Sequence, residues 1–412
     1  MINQFQSNSA TLDRYRCGPL GLHLDSFANW LSEQGYPRQT GIQKLRLFAF
    51  LSRWLEQNNL STQQLDEQQI DQFLKSQRKR LCRQRQVRHT LTQLLHHLRH
   101  LRAVPDQRPA QVESSTDRLM QDYERFLAQE RGLSPTTLNN YGAVARRFLA
   151  HAFPTKALQP DRLVAKDING FVLRDKAVYS PKRVQLTTSA LRSFLGFLYL
   201  RGQLATPLAA SVPTVATWRL SELPQFLEPE QVQQILQSCD RNSPCGRRDY
   251  AALLLLARLG LRAGEVVHLS LEDINWTCGE VFIRGKSSHE ERLPLPPDAG
   301  RALAMYLQKD RPPCSSRRVF IRMKAPHVGF SSSVAICNIL RRALRRAHLQ
   351  PERKGSHLLR HSLATQMLRG GASLTQIGQI LRHQLPQTTE IYAKVDLTTL
   401  RAIAQPWPGG VR

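Results

Sequence analysis

The chain has 412 residues, of which 41% are hydrophobic and 22% charged, as in globular proteins and unlike largely disordered or fibrous chains. Its longest uninterrupted apolar run, 251–257, is far too short to span a bilayer, and its first residues do not resemble a secretory signal. The net charge of +26 favours a polyanionic partner such as nucleic acid. A ribosome-associated protein or an unusually charged surface would also fit. The seven scattered cysteines contain no Cys-x-x-Cys pair, which favours a reducing compartment over a disulfide framework or a zinc ribbon.

Proline-containing stretches near 105–115 and 205–229 divide the chain into segments of about 20–104, 116–204 and 228–405. The first two segments read alike, with apolar residues at helical spacing and glycine or proline between the runs. Each is predicted to be a bundle of about four helices, with a helix start at Ser134 and Pro135. The likeness indicates either an internal repeat or simply two amphipathic bundles.

The third segment is mixed. An apolar helix is predicted at 251–259, followed by short strands at 274–276, 281–284 and 292–295 and mostly helix beyond 299. The predicted fold class is mainly α with a small antiparallel β-sheet (α+β). Helical modules precede the mixed segment.

Two features of the third segment could contact an anion or move a proton. In LRAGE (261–265) the guanidinium of Arg262 could face an anion, oriented by Glu265 three residues later. Taken alone, this pair reads as a surface salt bridge. Lys286 lies at the tip of the predicted strand turn, where a lysine is usually solvated but could also deliver a proton.

Further candidates lie in HLLRH (357–361) and beyond it. His357 and Arg360 fall on one helix face. His357 and His361 are four residues apart, as in zinc helices, but Leu358 stands where a metalloprotease needs Glu, and no third ligand is evident. A metal site is therefore not favoured. Tyr392, taken alone, reads as core packing.

These features follow one another in a fixed order: LRAGE (261–265), the hairpin Lys286, HLLRH (357–361), LRH (381–383) and IY (391–392). The series resembles the catalytic series of the tyrosine recombinases, which include phage integrases and Xer-type recombinases, over about 228–405. The segment 116–204 is similar to the helical core-binding domain of that family. Arg382 stands where the family commonly has glycine. The segment 20–104 lies beyond the usual two-domain layout and resembles a second core-binding-like module or an arm-type module.

The resemblance implies a division into 1–112 (extra helical module), 113–210 (core-binding, SAM-like), 211–227 (linker) and 228–412 (catalytic). It implies a site-specific recombinase that cuts and rejoins DNA through a 3′-phosphotyrosyl intermediate, without metal, cofactor or ATP. The implied catalytic residues are Tyr392 as nucleophile, Arg262 and Arg360 as phosphate clamps and Lys286 as general acid, with Glu265 in support. His357 would hydrogen-bond the phosphate or accept the tyrosyl proton, and His383 would donate a hydrogen bond to the phosphate.

The implied partners are double-stranded DNA and a homo- or hetero-tetramer on two DNA sites, with accessory or partner recombinases and no membrane. A docking helix is expected at 397–404, and the expected compartment is the cytoplasm, on the DNA of a bacterial cell. The biological role would be integration, excision or transposition of a mobile element, or resolution of DNA multimers. Type IB topoisomerase-like relaxation and a DNA-binding protein that has lost catalysis are the alternatives.

Overall fold

The computed structural model of the protein describes residues 5, 9–77, 84–105, 114–154, 158–216, 223–285, 290–395 and 404. This part of the chain is mainly helical with one three-stranded antiparallel sheet, which confirms the fold class predicted from the sequence. Two compact units form, one of Met1–Asp106 with Glu222–Arg412 and the other of Gln107–Ser221. No helix within the described ranges is long and apolar enough to cross a membrane.

The N-terminal module contains five α-helices among its described residues: α1 (Ser9–Arg16), α2 (Leu24–Glu33), α3 (Arg38–Gln57), α4 (Glu67–Ser76) and α5 (Gln84–His100). Its core is built from apolar residues at helical spacing, such as Leu45, Phe48 and Leu55 on one face of α3. Phe27 of α2 stacks on Phe48 with ring centroids 5.7 Å apart. The sequence predicts about four helices for 20–104, and the described part of that segment contains four, α2 to α5; helix α1 precedes it.

The second unit contains four α-helices in its described part, as predicted: α6 (Ser115–Arg125), α7 (Pro135–Ala152), α8 (Ala165–Val178) and α9 (Pro181–Leu200). Helix α7 begins where the sequence predicts, with Ser134 at the N-cap and Pro135 at its first position. Buried aromatic rings join the helices, and the centroids of Tyr123 and Phe194 lie 5.0 Å apart.

The last segment contains helices and strands in this order: α10 (Pro229–Gln237), α11 (Pro244–Leu259), α12 (Ala263–His268), β1 (Ile274–Asn275), β2 (Glu280–Arg284), β3 (Glu290–Pro294), α13 (Pro297–Lys309), α14 (Val334–Arg346), α15 (His357–Arg369) and α16 (Leu374–Ile380). Helix α11 is its centre, because residues 251–256 are buried on every side. A helix that is apolar all round belongs in the middle of a core, and the other helices pack around it.

The sheet has the order β1-β2-β3, and its neighbouring strands are antiparallel. Ile274 of β1 and Leu293 of β3 both pair with Val281 of β2, close to the predicted strand positions. The prediction of mostly helix beyond 299 is wrong for 310–333, which form loops with isolated bridges. Prolines at 312 and 313 explain why the chain leaves the helix here, because they lack the N–H that a continuing helix needs.

Within the first unit, the N-terminal module contacts one of these loops. The main-chain N–H of His327 donates to the carbonyl of Gln34 over 3.1 Å. Gly35, with φ of +74°, lies against the His327 ring, and a Cβ there would stand 2.2 Å from its nearest atom. Glycine is therefore favoured at this contact for two reasons, its backbone conformation and its lack of a side chain.

Candidate active site

Arg262 is held at the turn between the buried helix α11 and the short helix α12. The helix α11 ends at Gly260, whose φ of +57° is the left-handed conformation common at helix ends. Arg262 then occupies the N-cap of α12, where its N–H and its Nη1 each donate to the Glu265 carboxylate over 2.8 Å. The guanidinium of Arg262 is 39% exposed whereas Glu265 is 6% exposed. The buried carboxylate thus fixes a guanidinium that still faces solvent.

Arg360 lies in the first turn of α15 and is almost completely buried, at 3% exposure. Its guanidinium donates to the carbonyl oxygens of Gly260 and Leu381. Burial, followed by the nearby charges of Arg262 and Arg382, lowers the pKa of Arg360 to about 10. Carbonyl oxygens carry no net charge, so these bonds leave a positive charge available to an anion.

Tyr392 lies in a 3₁₀ turn, Glu390–Val395, and is 1% exposed. Its hydroxyl is hydrogen-bonded to Nδ1 of His361 at 2.9 Å. Burial raises the pKa of Tyr392 to about 12, although the charge of Arg360 opposes the rise. Burial, followed by His357 and Arg360, lowers the pKa of His361 to about 4. Both partners are therefore neutral near pH 7.

The two predicted histidines lie on either side of this pair. His383 stacks on Tyr392 with ring centroids 6.4 Å apart, and its Nδ1 is 2.7 Å from Oγ1 of Thr389. Burial, followed by Arg360 and Arg262, lowers the pKa of His383 to about 4. The residue His357 is exposed, with its ring centroid 6.2 Å from that of His361. Partial burial of its ring, then Arg360 and Arg262, lowers its pKa.

Lys286 lies outside the described residues, between the ends of β2 and β3. The other predicted site residues come together at the ends of α11, α15 and α16. They are Arg262, Glu265, His357, Arg360, His383 and Tyr392. Among the described side chains, no three His, Cys, Asp or Glu residues are grouped as a metal ion would require. What converges is cationic and phenolic, a set suited to an anion beside a tyrosine hydroxyl.

His361 is a site residue that the sequence motifs do not predict. The spacing of His357 and His361 suggests only a zinc ligand, whereas in the structure His361 contacts the Tyr392 hydroxyl. Its position one helical turn after His357 is a signal that was present, because residues four apart share a helix face. Its partner could not be read from sequence, since Tyr392 lies 31 residues further on.

Comparison with known proteins matches the site to a family. Residues 225–398 match the phage integrase family, and residues 120–202 match the N-terminal SAM-like domain of phage integrases. The chain is 41% identical over 415 residues to y4rA of Sinorhizobium fredii (strain NBRC 101917 / NGR234), named as an integrase/recombinase, with 99% of each chain covered. The chain belongs to the phage integrase family of tyrosine recombinases.

As a tyrosine recombinase, the protein is of the enzyme class predicted from the sequence, and site-specific recombination is the established activity of that class. It is 30% identical over 290 residues to tyrosine recombinase XerD of Listeria innocua serovar 6a, covering 69% of this chain and 96% of that protein. The post-cleavage complex of XerH with palindromic difH substrate shares the fold, with a TM-score of 0.55 at 19% identity, covering 69% of this chain and 83% of that one.

Proposed function

We propose that the protein cuts and rejoins duplex DNA at specific sites, with Tyr392 as the nucleophile that forms a 3′-phosphotyrosyl bond. One observation carries this assignment: Tyr392 and Arg360 are both buried, and the charge of the Arg360 guanidinium acts on the Tyr392 hydroxyl, where it opposes the rise of the tyrosine pKa. A tyrosine attacks only when it loses its proton and the charge of the phosphate is offset. A buried cation beside the hydroxyl serves both needs.

The remaining roles follow from charge and position. Arg262 and Arg360 hold the non-bridging phosphate oxygens and stabilise the transition state, a contribution of about 10²–10³ in rate for each well-placed donor. Glu265 orients Arg262. His383 donates a hydrogen bond to the phosphate, and His357, exposed at the edge, contacts the phosphate or accepts the tyrosyl proton. Lys286 protonates the departing 5′-oxygen as general acid. The phosphotyrosyl bond conserves the energy of the phosphodiester, so rejoining needs no ATP.

We propose the domain roles given by the resemblance: an extra helical module (1–112), a core-binding module (113–210), a linker (211–227) and a catalytic domain (228–412). The net charge of +26 supports wrapping of duplex DNA by these modules. The working assembly is a tetramer of this chain, or of this chain with a partner recombinase, on two DNA sites. The expected docking helix at 397–404 lies outside the described residues, apart from residue 404. The reaction takes place on DNA in the cytoplasm.

The test is a covalent-trapping assay on nicked, labelled duplexes that cover the DNA flanking the gene. After denaturation, wild-type protein should give a DNA-shifted band and Tyr392→Phe none, while both bind equally in a gel shift. Tyr199→Phe, which changes an exposed tyrosine of α9, is the matched control and should retain the band.

An adduct that persists in Tyr392→Phe would overturn the assignment of the nucleophile. Binding without any adduct in the wild type would instead favour a DNA-binding protein that has lost catalysis.

A further inference from the structure

Arg382 adopts a backbone conformation that favours glycine. Its φ is +56°, and it follows the end of α16 as the left-handed residue of a helix-ending motif. The N–H of His383 donates to the carbonyl of Gly378 over 2.9 Å, and the N–H of Arg382 donates to that of Gln379 over 3.0 Å. Glycine would adopt this turn without steric cost, so an arginine here needs a reason that lies in its side chain.

The side chain of Arg382 turns inward instead of extending into solvent. It is 5% exposed, and its Nη2 donates to Oε2 of Glu265 over 2.8 Å. Its Nε lies 3.8 Å from a carboxylate oxygen of Glu291, in strand β3. Arg382 therefore links the end of α16 to the start of α12 and to the β2–β3 hairpin.

Arg262 depends on Arg382 in two ways. The Glu265 carboxylate that accepts from Nη1 of Arg262 also accepts from Arg382, so the two guanidiniums hold it from different sides. In addition, Nη2 of Arg262 donates to the main-chain carbonyl of Arg382 over 3.4 Å. The Arg262 guanidinium thus has two acceptors, the Glu265 carboxylate and the Arg382 carbonyl. Both depend on Arg382, which holds the first with its side chain and supplies the second from its main chain.

The pKa of Glu265 also indicates that Arg382 supports this carboxylate. Burial alone would raise the pKa of Glu265, but the charge of Arg382, followed by the contacts with Arg262, outweighs burial and lowers it. Glu265 consequently stays ionised although it is buried. Its two guanidinium partners hold the carboxylate more firmly than one would. An ionised Glu265 is what holds Arg262.

We propose that Arg382 is a positioning residue that locks Glu265 and, through it, aims the guanidinium of Arg262 at the scissile phosphate. The inference rests on the proposed function, because Arg262 must be a phosphate ligand for its aim to matter. Arg382 itself does not touch the reacting atoms. It gives the Glu265 carboxylate a second support beside Arg262.

The test compares Arg382→Gly with Arg382→Lys in single-turnover cleavage of the nicked duplexes. Glycine suits the backbone, so Arg382→Gly should fold and bind DNA like the wild type but form the covalent adduct more slowly, on the order of 10- to 100-fold, as expected for a misaligned catalytic group. Lysine keeps the charge without the fork, and should restore part of the rate.

The matched control is His348→Gly. His348 is exposed, has φ of +53° and ends α14 in the same kind of motif, with the N–H of Leu349 bonded to the carbonyl of Leu344. The His348→Gly variant relieves the same backbone strain away from the candidate site, and its cleavage rate should equal that of the wild type.

A second comparison separates positioning from general damage. If Arg382 acts through Glu265, Arg382→Gly should cause little further loss of cleavage in a Glu265→Gln background. Equal rates for Arg382→Gly and wild type, or full additivity with Glu265→Gln, would overturn the proposal. Absence of any wild-type adduct would instead refute the proposed function, so the two failures are distinguishable.

Discussion

At the scale of single residues, burial keeps both Tyr392 and its hydrogen-bonded partner His361 neutral. With a pKa of about 12 on the tyrosine and about 4 on the histidine, transfer of the proton from the hydroxyl to the imidazole is strongly unfavourable. His361 is therefore a holder of the hydroxyl in this state and a poor base for it. This balance must change before Tyr392 can act as the proposed nucleophile.

The Tyr392–His361 bond can be tested by a mutational cycle. His361→Phe keeps a ring but leaves the buried Tyr392 hydroxyl without this partner, so the free energy of unfolding should fall by about 1–3 kcal/mol. His361→Gln, which can still hydrogen-bond, should lose less. In the His361→Phe background, Tyr392→Phe should cost almost nothing, because both polar groups are then removed.

Urea unfolding of the wild type, the three single variants and the double variant measures these differences. A full cost for Tyr392→Phe in the His361→Phe background would show that the two side chains are not coupled.

At the scale of elements, the end of helix α11 supports the active site through its main chain. The carbonyl of Gly260 accepts a bond from the buried Arg360, and φ at Gly260 is +57°. A Cβ at this position would lie 2.6 Å from a methyl carbon of Leu381 and 3.2 Å from one of Leu363. The turn is thus crowded as well as left-handed, and the two effects can be separated.

Gly260→Ala should lower the free energy of unfolding by about 2–4 kcal/mol, the sum of left-handed strain and overpacking. Gly279→Ala is the matched control, since φ there is +64° and no described atom lies within 4 Å of the added Cβ. It should cost only the strain, about 1–2 kcal/mol. Chemical denaturation gives both values, and Gly260→Ala should also slow cleavage because Arg360 moves. An equal loss of unfolding free energy at the two positions would mean that the Leu381 side chain moves aside without an energetic cost.

At the scale of the whole molecule, the net charge of +26 governs the encounter with DNA. If the modules make 6–10 phosphate contacts, affinity should fall by about 10³–10⁵ between 50 and 200 mM salt. Gel shifts with Tyr392→Phe measure this without interference from cleavage. Adducts formed by the wild type at low salt should survive the same increase, because they are covalent. A salt-independent affinity would contradict binding through the phosphate backbone.

The parts predicted well from sequence are those fixed by local pattern. Helical periodicity and turn residues gave the second bundle and the three short strands, and motif order gave the family. What escaped prediction depends on contacts between distant segments. The inward turn of Arg382 toward Glu265 joins residues 117 apart, and no spacing rule indicates it. The same is true of His361, whose neighbour is decided by how the last turn packs against α15.

The hydrophobic cluster that encloses Tyr392 is far smaller than the one around α11. Its buried members among the described residues are Ala364, Ile377, Leu381 and Tyr392 itself. A region with so little buried apolar area opens at a lower free energy than the rest of its domain. The turn Glu390–Val395 should therefore exchange its amide hydrogens well before α11 does. The turn that carries Tyr392, the proposed nucleophile, should therefore open locally while the larger core around α11 stays folded.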